Sequence, residues 1–288
     1  EFKLVTGGIL GTQLDTDCSV LTRVDYVYWS DSESAFKTYR HSPMSEPPED
    51  MGEITGPDGN SMAYIVRVET GTVNRGIYEI AMLHDPADGE VGPWNRSPHW
   101  NGKLVYTHGG GCRGGWFQQG DRTGGVMRRG LFELGYAVIS ATLNVFGQNC
   151  NDLLASETHI MVKERFIEHY GAPAYTIATG ASGGSYQSHQ TADNYPGVFD
   201  GIIVGLSFPD VTSATIFTLA DARLLNHYFT DVNAENFTLI QQTAVAGFGS
   251  WGSIMNLSRG AARLDPIYQF ETSPEEQGGE SSIAELAD

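Results

Sequence analysis

The sequence predicts an α/β protein with a mostly parallel sheet that begins with antiparallel strands. Residues 62–69 and 77–83 are strand-like runs joined by a short segment containing Gly and Asn, a pattern typical of a hairpin. From residue 103 onward, short apolar strands alternate with stretches of helical spacing. Such alternation indicates parallel strands covered by helices on both faces.

The elements can be placed in chain order. Residues 23–29 alternate as a strand does, whereas residues 30–59 contain four prolines and many acids and are expected to form a long surface loop, with a second loop at residues 85–101. Apolar residues at helical spacing predict two helices in the parallel part, marked by Met127, Leu131 and Leu134 and by Val162, Phe166 and Tyr170. The parallel strands are expected at residues 103–107, 136–141, 175–179 and 201–206.

Composition excludes several classes of function. The net charge of −18 argues against a nucleic-acid partner, and no apolar run is long enough to cross a membrane. No spacing of His, Cys or acidic residues suits a metal, and no glycine motif follows a strand in a dinucleotide-binding context. We therefore expect neither a catalytic metal nor an organic cofactor.

The candidate nucleophile is Ser182. It lies in the G-x-S-x-G pattern of residues 180–184, between a β-prone run and a helix-capable stretch. A sharp strand-to-helix turn exposes the serine hydroxyl and needs small neighbours, which Gly180 and Gly184 supply. The alternative is a glycine-rich turn without chemistry.

A second motif, His108-Gly-Gly-Gly111, follows the first predicted parallel strand, about seventy residues before Ser182. In this position a glycine loop can offer a backbone N–H to an oxyanion, and Gly183 can offer another. The residues leave open whether Gly110 or Gly111 is the donor, and a flexible turn is the alternative. His108 is expected to hold the loop by hydrogen bonds rather than to abstract protons.

Cys112 and Cys150 each follow a predicted parallel strand, on the same rim as Ser182. We predict that a disulfide joins them and fastens the glycine loop to its neighbour. Cys18 would then be unpaired, or its partner would lie outside this chain.

These motifs resemble the α/β-hydrolases and, more narrowly, the tannase and feruloyl esterase group. The resemblance rests on residues 194–205, 207–210 and 221–225 together with the loop at 108–112, and is nearest to a tannase-like family of secreted bacterial hydrolases. It implies a serine esterase with a small or polymeric ester as substrate, secreted or periplasmic. Tannases place a cysteine directly before the nucleophile, whereas this chain has Ala181, so a tannase substrate does not carry over.

The acid and base of a triad are less clear. In this fold the order is serine, acid, histidine, and only His189 and His227 follow Ser182. His189 is expected to be a helix-face residue, and His227 to lie on a solvated or packed helix of a cap rather than to act as the base. Asp210 follows a parallel strand as an orienting acid would, although a helix N-cap is the favoured interpretation.

The C-terminal third predicts an incomplete site. Residues 212–229 and 235–246 are helical, residues 251–270 show no parallel-strand signature, and the last two strands of an α/β-hydrolase are not visible. We expect a core over residues 1–270 with part of a cap at about 208–250, and a poorly ordered acidic tail at 271–288. With residue 1 not a methionine and the cysteine count odd, we expect a fragment or a processed chain, the base being carried by a second chain or a missing segment.

Three functions stay open at this point. The first is a serine esterase that is acylated at Ser182. The second is a polyester depolymerase or an amidase built on the same scaffold. The third is a non-catalytic relative that uses the fold for binding or assembly, since one fold supports many functions.

Overall fold

The computed structural model describes the chain in several stretches that together include both sequence motifs. It divides into two compact units, Glu1–Ser207 and Phe208–Asp288. Only the backbone is described at residues 3–4, 8–9, 251 and 259–261. The predicted acidic tail at 271–288 lies outside the described residues. The described residues are 3–4, 8–9, 11–40, 46–57, 59–112, 121–208, 210, 216–247 and 249–261.

The first unit contains all the described strands. They form one sheet of eight strands and two separate antiparallel pairs. In chain order the strands are β1 Lys3–Leu4, β2 Gly8–Ile9, β3 Arg23–Ser30, β4 Ala35–Thr38, β5 Glu53–Thr55, β6 Ser61–Ala63, β7 Ile65–Val73, β8 Gly76–Leu83, β9 Lys103–Thr107, β10 Ala137–Ala141, β11 Tyr175–Ala181 and β12 Gly201–Gly205.

The large sheet has a parallel half and an antiparallel half. Its strand order is β12-β11-β9-β10-β8-β7-β3-β4. The strands from β12 to β10 pair in parallel, and those from β8 to β4 continue antiparallel. The predicted α/β architecture with an antiparallel N-terminal part is confirmed. Among the described residues no strand follows β12.

The predicted hairpin is present, with a shorter turn than expected. Strands β7 and β8 pair up to Val73 and Gly76, so only two residues make the turn. These two, Asn74 and Arg75, have φ of 52° and 62°. Two consecutive left-handed residues match the right-handed twist of a hairpin, which lets the ladder continue to the turn.

The expectation of one long loop at residues 30–59 is wrong. Strands β4 and β5 lie within it, because two apolar side chains in the polar stretch reach the core. Phe36 packs edge-on against Trp29 at 5.1 Å between ring centroids, and Ile54 is buried. The described prolines of this stretch, Pro47, Pro48 and Pro57, lie outside both strands and do not prevent them.

Both faces of the sheet are covered. Ile80, Met82 and Ile139 belong to one core cluster, whereas Ala81 and Leu83 belong to the other. Because successive side chains of a strand point to opposite faces, β8 contributes to both cores and is buried along its whole length. The described helices of this unit are α1 Arg129–Phe132, α2 Asp152–Tyr170 and α3 Gly183–Asn194.

The second unit is helical where it is described. The helix α4, Ile216–His227, ends in a π-helical turn at Tyr228–Val232, and the next helix begins with a capping box between Thr238 and Gln241. No described helix in either unit is long and apolar enough to span a membrane. The helices are α4 Ile216–His227, α5 Leu239–Ala246 and α6 Trp251–Ala261.

Candidate active site

Ser182 lies on a strained turn between β11 and α3. Its backbone has φ 57° and ψ −123°, a region that residues with a side chain rarely adopt and that costs about 1–3 kcal/mol. The turn is tied on both sides, since Ser182 N donates to Gly205 O at 3.2 Å and its carbonyl accepts from Tyr186 N at 3.0 Å. The side chain of Ser182 is exposed. The fold therefore presents this hydroxyl at the carboxyl end of the parallel strands.

The glycines around Ser182 are required by close backbone contacts. A methyl group built on Gly180 would lie 2.8 Å from the carbonyl carbon of Gly184. A methyl group on Gly184 would lie 3.1 Å from His108 O. A side chain at position 180 would therefore force the backbone to move, and one at position 184 would make an unusually tight contact, as the sequence motif predicts.

The glycine loop at residues 108–111 packs directly on this turn. A methyl group on Gly110 would lie 2.9 Å from Ala181 O and 3.6 Å from Ser182 Cβ. A methyl group on Gly183 would lie 2.0 Å from Gly111 O and 3.1 Å from Gly111 N. The structure thus brings the two predicted motifs into contact.

Backbone hydrogen bonds hold the loop from both sides. His108 N donates to Thr179 O of β11 at 2.8 Å. On the other side, Phe146 N donates to Gly109 O at 3.3 Å, and Gly147 N donates to Gly110 O at 2.8 Å. The loop is therefore fixed between β11 and residues 144–147.

Three backbone N–H groups near Ser182 make no hydrogen bond to another described residue. They belong to Gly110, Gly111 and Gly183. Gly183 is the first residue of α3, where N–H groups have no partner inside the helix and the helix dipole favours negative charge.

A disulfide joins Cys112 to Cys150, with 4.9 Å between their Cα atoms. This is the pairing that the sequence predicts. Cys112 directly follows Gly111, so the disulfide links the end of the glycine loop to the segment that precedes α2. The remaining cysteine, Cys18, is free and half-buried.

His108 is a buried neutral histidine that positions the loop. Its Nδ1 lies 2.8 Å from Ser188 Oγ, whose own proton goes to Gly184 O at 2.8 Å, so Nδ1 is the nitrogen that donates. Burial lowers the pKa of the His108 imidazole to about 3. His108 therefore ties the loop to α3, as the sequence predicts, and its ring is closed off from solvent.

His159 of α2 packs behind His108. The ring centroids are 4.5 Å apart, and His159 Nδ1 lies 3.0 Å from Thr191 Oγ1. Burial holds the pKa of the His159 imidazole well below its usual value, and the neighbouring His108 lowers it further. The structure thus places a pair of neutral imidazoles beneath the turn that carries Ser182.

We expect this buried pair to make folding stability dependent on pH. Below about pH 6.5 the unfolded chain protonates these imidazoles, whereas folded His108 stays neutral until about pH 3. The unfolded state therefore binds more protons, and the free energy of unfolding falls by up to about 1.4 kcal/mol per pH unit for each buried histidine. Above about pH 6.5 neither histidine makes the free energy of unfolding depend on pH.

Urea unfolding at pH 7.5 and pH 5.0 tests this. His108→Asn retains a donor toward Ser188 and removes the titrating group, so the loss of stability between the two pH values should be smaller than in the wild type. Comparing slopes within each protein removes the cost of the cavity that the substitution leaves. An equal slope in both proteins would mean that His108 titrates normally in the fold.

The other described histidines of the first unit have partners away from Ser182. His189 lies on α3, as predicted, and its Nε2 is 2.8 Å from Ser207 Oγ. Among these residues none makes a hydrogen bond to Ser182. The remaining contacts are His84 with Gly89 O, His99 with Asp88 and His169 with Arg165 O.

The second unit contains the other two predicted triad candidates. His227 Nδ1 lies 2.8 Å from Asp231 Oδ2 on the same helical stretch, and both side chains are more than half exposed. His227 is thus a solvated helix histidine. Asp210 is exposed, and residues 211–215, which the N-cap interpretation needs, lie outside the described residues.

Two buried glutamines support the site, and neither was predicted from the sequence. Gln187 of α3 donates through Nε2 to Gly109 O at 3.1 Å and to Asn144 O at 3.0 Å. Gln148 accepts from the N–H groups of Asp121 and Arg122. The sequence signal that could have identified Gln187 is a polar residue on the face of the helix that packs against the sheet.

Solved structures with a similar fold have low sequence identity to this chain. Tannin acyl hydrolase from Aspergillus niger has 12% identity and a TM-score of 0.38, over 76% of this chain and 39% of its own. An esterase from Aspergillus oryzae has 13% identity and a TM-score of 0.35, over 72% and 38%. The peroxisomal alpha-beta-hydrolase Lpx1 from Saccharomyces cerevisiae has 13% identity and a TM-score of 0.31, over 79% and 62%. The chain thus spans less than two thirds of each of these proteins.

No curated protein matches the chain. A family model does, and it extends over residues 3–281. Both glycine motifs, the disulfide and all the described strands lie within that match. The chain belongs to the tannase-like family of unknown function DUF6351.

Proposed function

We propose that the protein is a serine hydrolase that cleaves carboxylic esters through an acyl-enzyme at Ser182. The observation that carries this proposal is the φ of 57° at an exposed serine between β11 and α3, with the loop of Gly110 and Gly111 packed on it. Membership of a tannase-like family supports an ester as substrate. This arrangement supports the assignment of a nucleophile elbow at Ser182 and of an oxyanion loop at Gly110 and Gly111.

The proposed reaction has two steps. Ser182 Oγ attacks the carbonyl carbon and loses its proton to a base, and the tetrahedral oxyanion accepts hydrogen bonds from the N–H of Gly183 and from that of Gly110 or Gly111. The C–O bond to the alcohol then breaks, and the base returns the proton to the alcohol. Water next attacks the acyl-enzyme in the same way, which releases the acid and frees Ser182.

We propose that the general base comes from a second chain or from a segment outside this sequence. Each described histidine of the first unit makes a hydrogen bond to a residue other than Ser182, and burial keeps His108 and His159 neutral. His227 has the exposure and the Asp231 contact of a solvated helix pair. The chain alone is therefore expected to hydrolyse esters slowly, because no described histidine makes a hydrogen bond to Ser182 that would activate it.

Free imidazole tests the source of the base. If Ser182 is exposed and lacks its base, added imidazole should raise the rate of aryl-ester hydrolysis above its own reaction with the ester, and this gain should be absent in Ser182→Ala. His227→Ala should change the rate by less than about twofold. A fall of two or more orders of magnitude in His227→Ala would identify that residue as the base and overturn the proposal.

The class of reaction is tested by labelling. In the presence of imidazole, which replaces the base, a fluorophosphonate should modify the chain once, at Ser182, as located by peptide mass spectrometry. The rates of hydrolysis of soluble aryl esters, polyester films and aryl amides are then compared. An esterase should prefer the soluble esters, a depolymerase the films and an amidase the amides. An unlabelled chain that turns over none of these substrates in the presence of imidazole would favour a non-catalytic binding role.

We also propose that the protein acts outside the reducing cytosol. The support is the disulfide between Cys112 and Cys150, since such bonds persist in secreted and periplasmic proteins.

A further inference from the structure

Arg122 lies close to the glycine loop, beside Gly147. A methyl group on Gly147 would lie 3.1 Å from Gly110 O and 3.6 Å from Arg122 Nη2. Gly147 also donates its N–H to Gly110 O at 2.8 Å. Gly110 therefore has Ser182 as one neighbour and Gly147 as the other, and the guanidinium of Arg122 lies next to Gly147.

The backbone of Arg122 is held in place by one buried side chain. Gln148 Oε1 accepts from Arg122 N at 3.0 Å, and Gln148 Nε2 donates to Arg122 O at 2.8 Å. The same amide also bonds Asp121 N and Thr142 O. All the hydrogen-bonding capacity of Gln148 is thus used to fix this segment. Gln148 therefore fixes the backbone from which the exposed side chain of Arg122 extends.

The guanidinium of Arg122 has no acidic partner among the described residues, although the chain carries a net charge of −18. Five other arginines of the unit pair with an acid, whereas Arg128 donates to the carbonyls of Gly124 and Gly125 and Arg96 stacks on Trp100. Residues 113–120, which precede it, contain no Asp or Glu. The ion pairs elsewhere are Arg23 with Asp25, Arg67 and Arg165 with Glu69, Arg75 with Asp17 and Arg129 with Glu133.

We propose that Arg122 binds a carboxylate carried by the ester substrate. This inference rests on the proposed function and assigns its substrate class: an ester with a free carboxylate several atoms away from the scissile carbonyl. The planar guanidinium can donate two parallel hydrogen bonds to a carboxylate. It also offsets the repulsion that the acidic protein exerts on an anionic substrate.

The activity test compares two pairs of esters in the presence of imidazole. One pair is mono-4-nitrophenyl glutarate and its methyl ester, with the carboxylate on the acyl part. The other is 3-acetoxybenzoate and its methyl ester, with the carboxylate on the alcohol part. Arg122→Gln should lower kcat/KM about tenfold for the anionic member of at least one pair and leave its neutral partner unchanged.

Lys103→Gln is the charge-matched control, because Lys103 is the first residue of β9 and lies at the opposite end of the parallel strands from Ser182. It should keep the wild-type preference for the anionic ester. Arg122→Lys should recover only part of that preference, since an ammonium cannot bind in the bidentate way. The wild-type preference should weaken as NaCl is raised, because the guanidinium is exposed. Equal ratios for wild type and Arg122→Gln in both pairs would overturn the inference.

A binding measurement separates this inference from the proposed function. Calorimetry with monomethyl glutarate and 3-acetoxybenzoate, on Ser182→Ala and on Ser182→Ala combined with Arg122→Gln, needs no turnover. Binding of either anion that weakens about tenfold in the double variant supports the inference even if no ester is hydrolysed. Failure of both anions to bind, or binding that does not depend on Arg122, refutes it even if neutral esters are hydrolysed.

Discussion

Ser182→Ala is expected to abolish ester hydrolysis, leaving only the reaction of the ester with buffer and imidazole. The hydroxyl is the nucleophile of the proposed acyl-enzyme, and no other described side chain lies on the strained turn between β11 and α3. Loss of the serine costs about a factor of 10⁶ in kcat where a full triad is present. The expected fall is smaller in the isolated chain, because its starting rate is lower.

The measurement is the initial rate of hydrolysis together with fluorophosphonate labelling, on protein whose urea midpoint is compared with that of the wild type. Alanine at φ 57° carries the same backbone strain as serine, so the midpoint should change little. Ser207→Ala is the matched control, because it removes an exposed hydroxyl at the end of the first unit. A Ser182→Ala protein that is still hydrolytic would rule out the acyl-enzyme.

The sequence was sufficient for the parts of the site that rest on local geometry. Gly180 and Gly184 around Ser182, between a strand and a helix, predict a turn that only small residues permit. The loop at residues 108–111 was predictable for the same reason, since it follows a parallel strand. Parallel strands bring their carboxyl ends to one edge, so two such motifs must meet there. The disulfide followed from the same rule, as each cysteine lies past a strand of that edge.

Residues that act through distant partners could not be predicted in this way. Gln148 and Arg122 lie in two separate segments that long-range hydrogen bonds hold together. Nothing in the local sequence pattern marks either residue. Strands β4 and β5 were missed because their few apolar residues, such as Phe36, gain burial only from tertiary packing. The base could not be assigned, since local spacing says nothing about which histidine reaches a given serine.

Gly183→Ala is expected to lower kcat by a factor of about 10² to 10³ while Ser182 keeps its hydroxyl. The new methyl group would lie 2.0 Å from Gly111 O, a distance at which the glycine loop has to move. The loop cannot shift freely, because the disulfide of Cys112 and the hydrogen bond from Gly147 N to Gly110 O hold it. The N–H donors to the oxyanion would then separate, and loss of one donor costs about 3–4 kcal/mol in the transition state.

Gly205→Ala is the matched control for this change. Its methyl group would lie 3.8 Å from Ala181 Cβ, an ordinary contact, although Gly205 accepts the hydrogen bond from Ser182 N. We expect the control to keep kcat within about twofold and KM for a neutral aryl ester unchanged. The decisive readout is kcat for a neutral aryl ester, measured on protein whose urea midpoint shows that it is folded. If Gly183→Ala folds and hydrolyses esters as fast as Gly205→Ala, the loop of Gly110 and Gly111 does not stabilise the oxyanion.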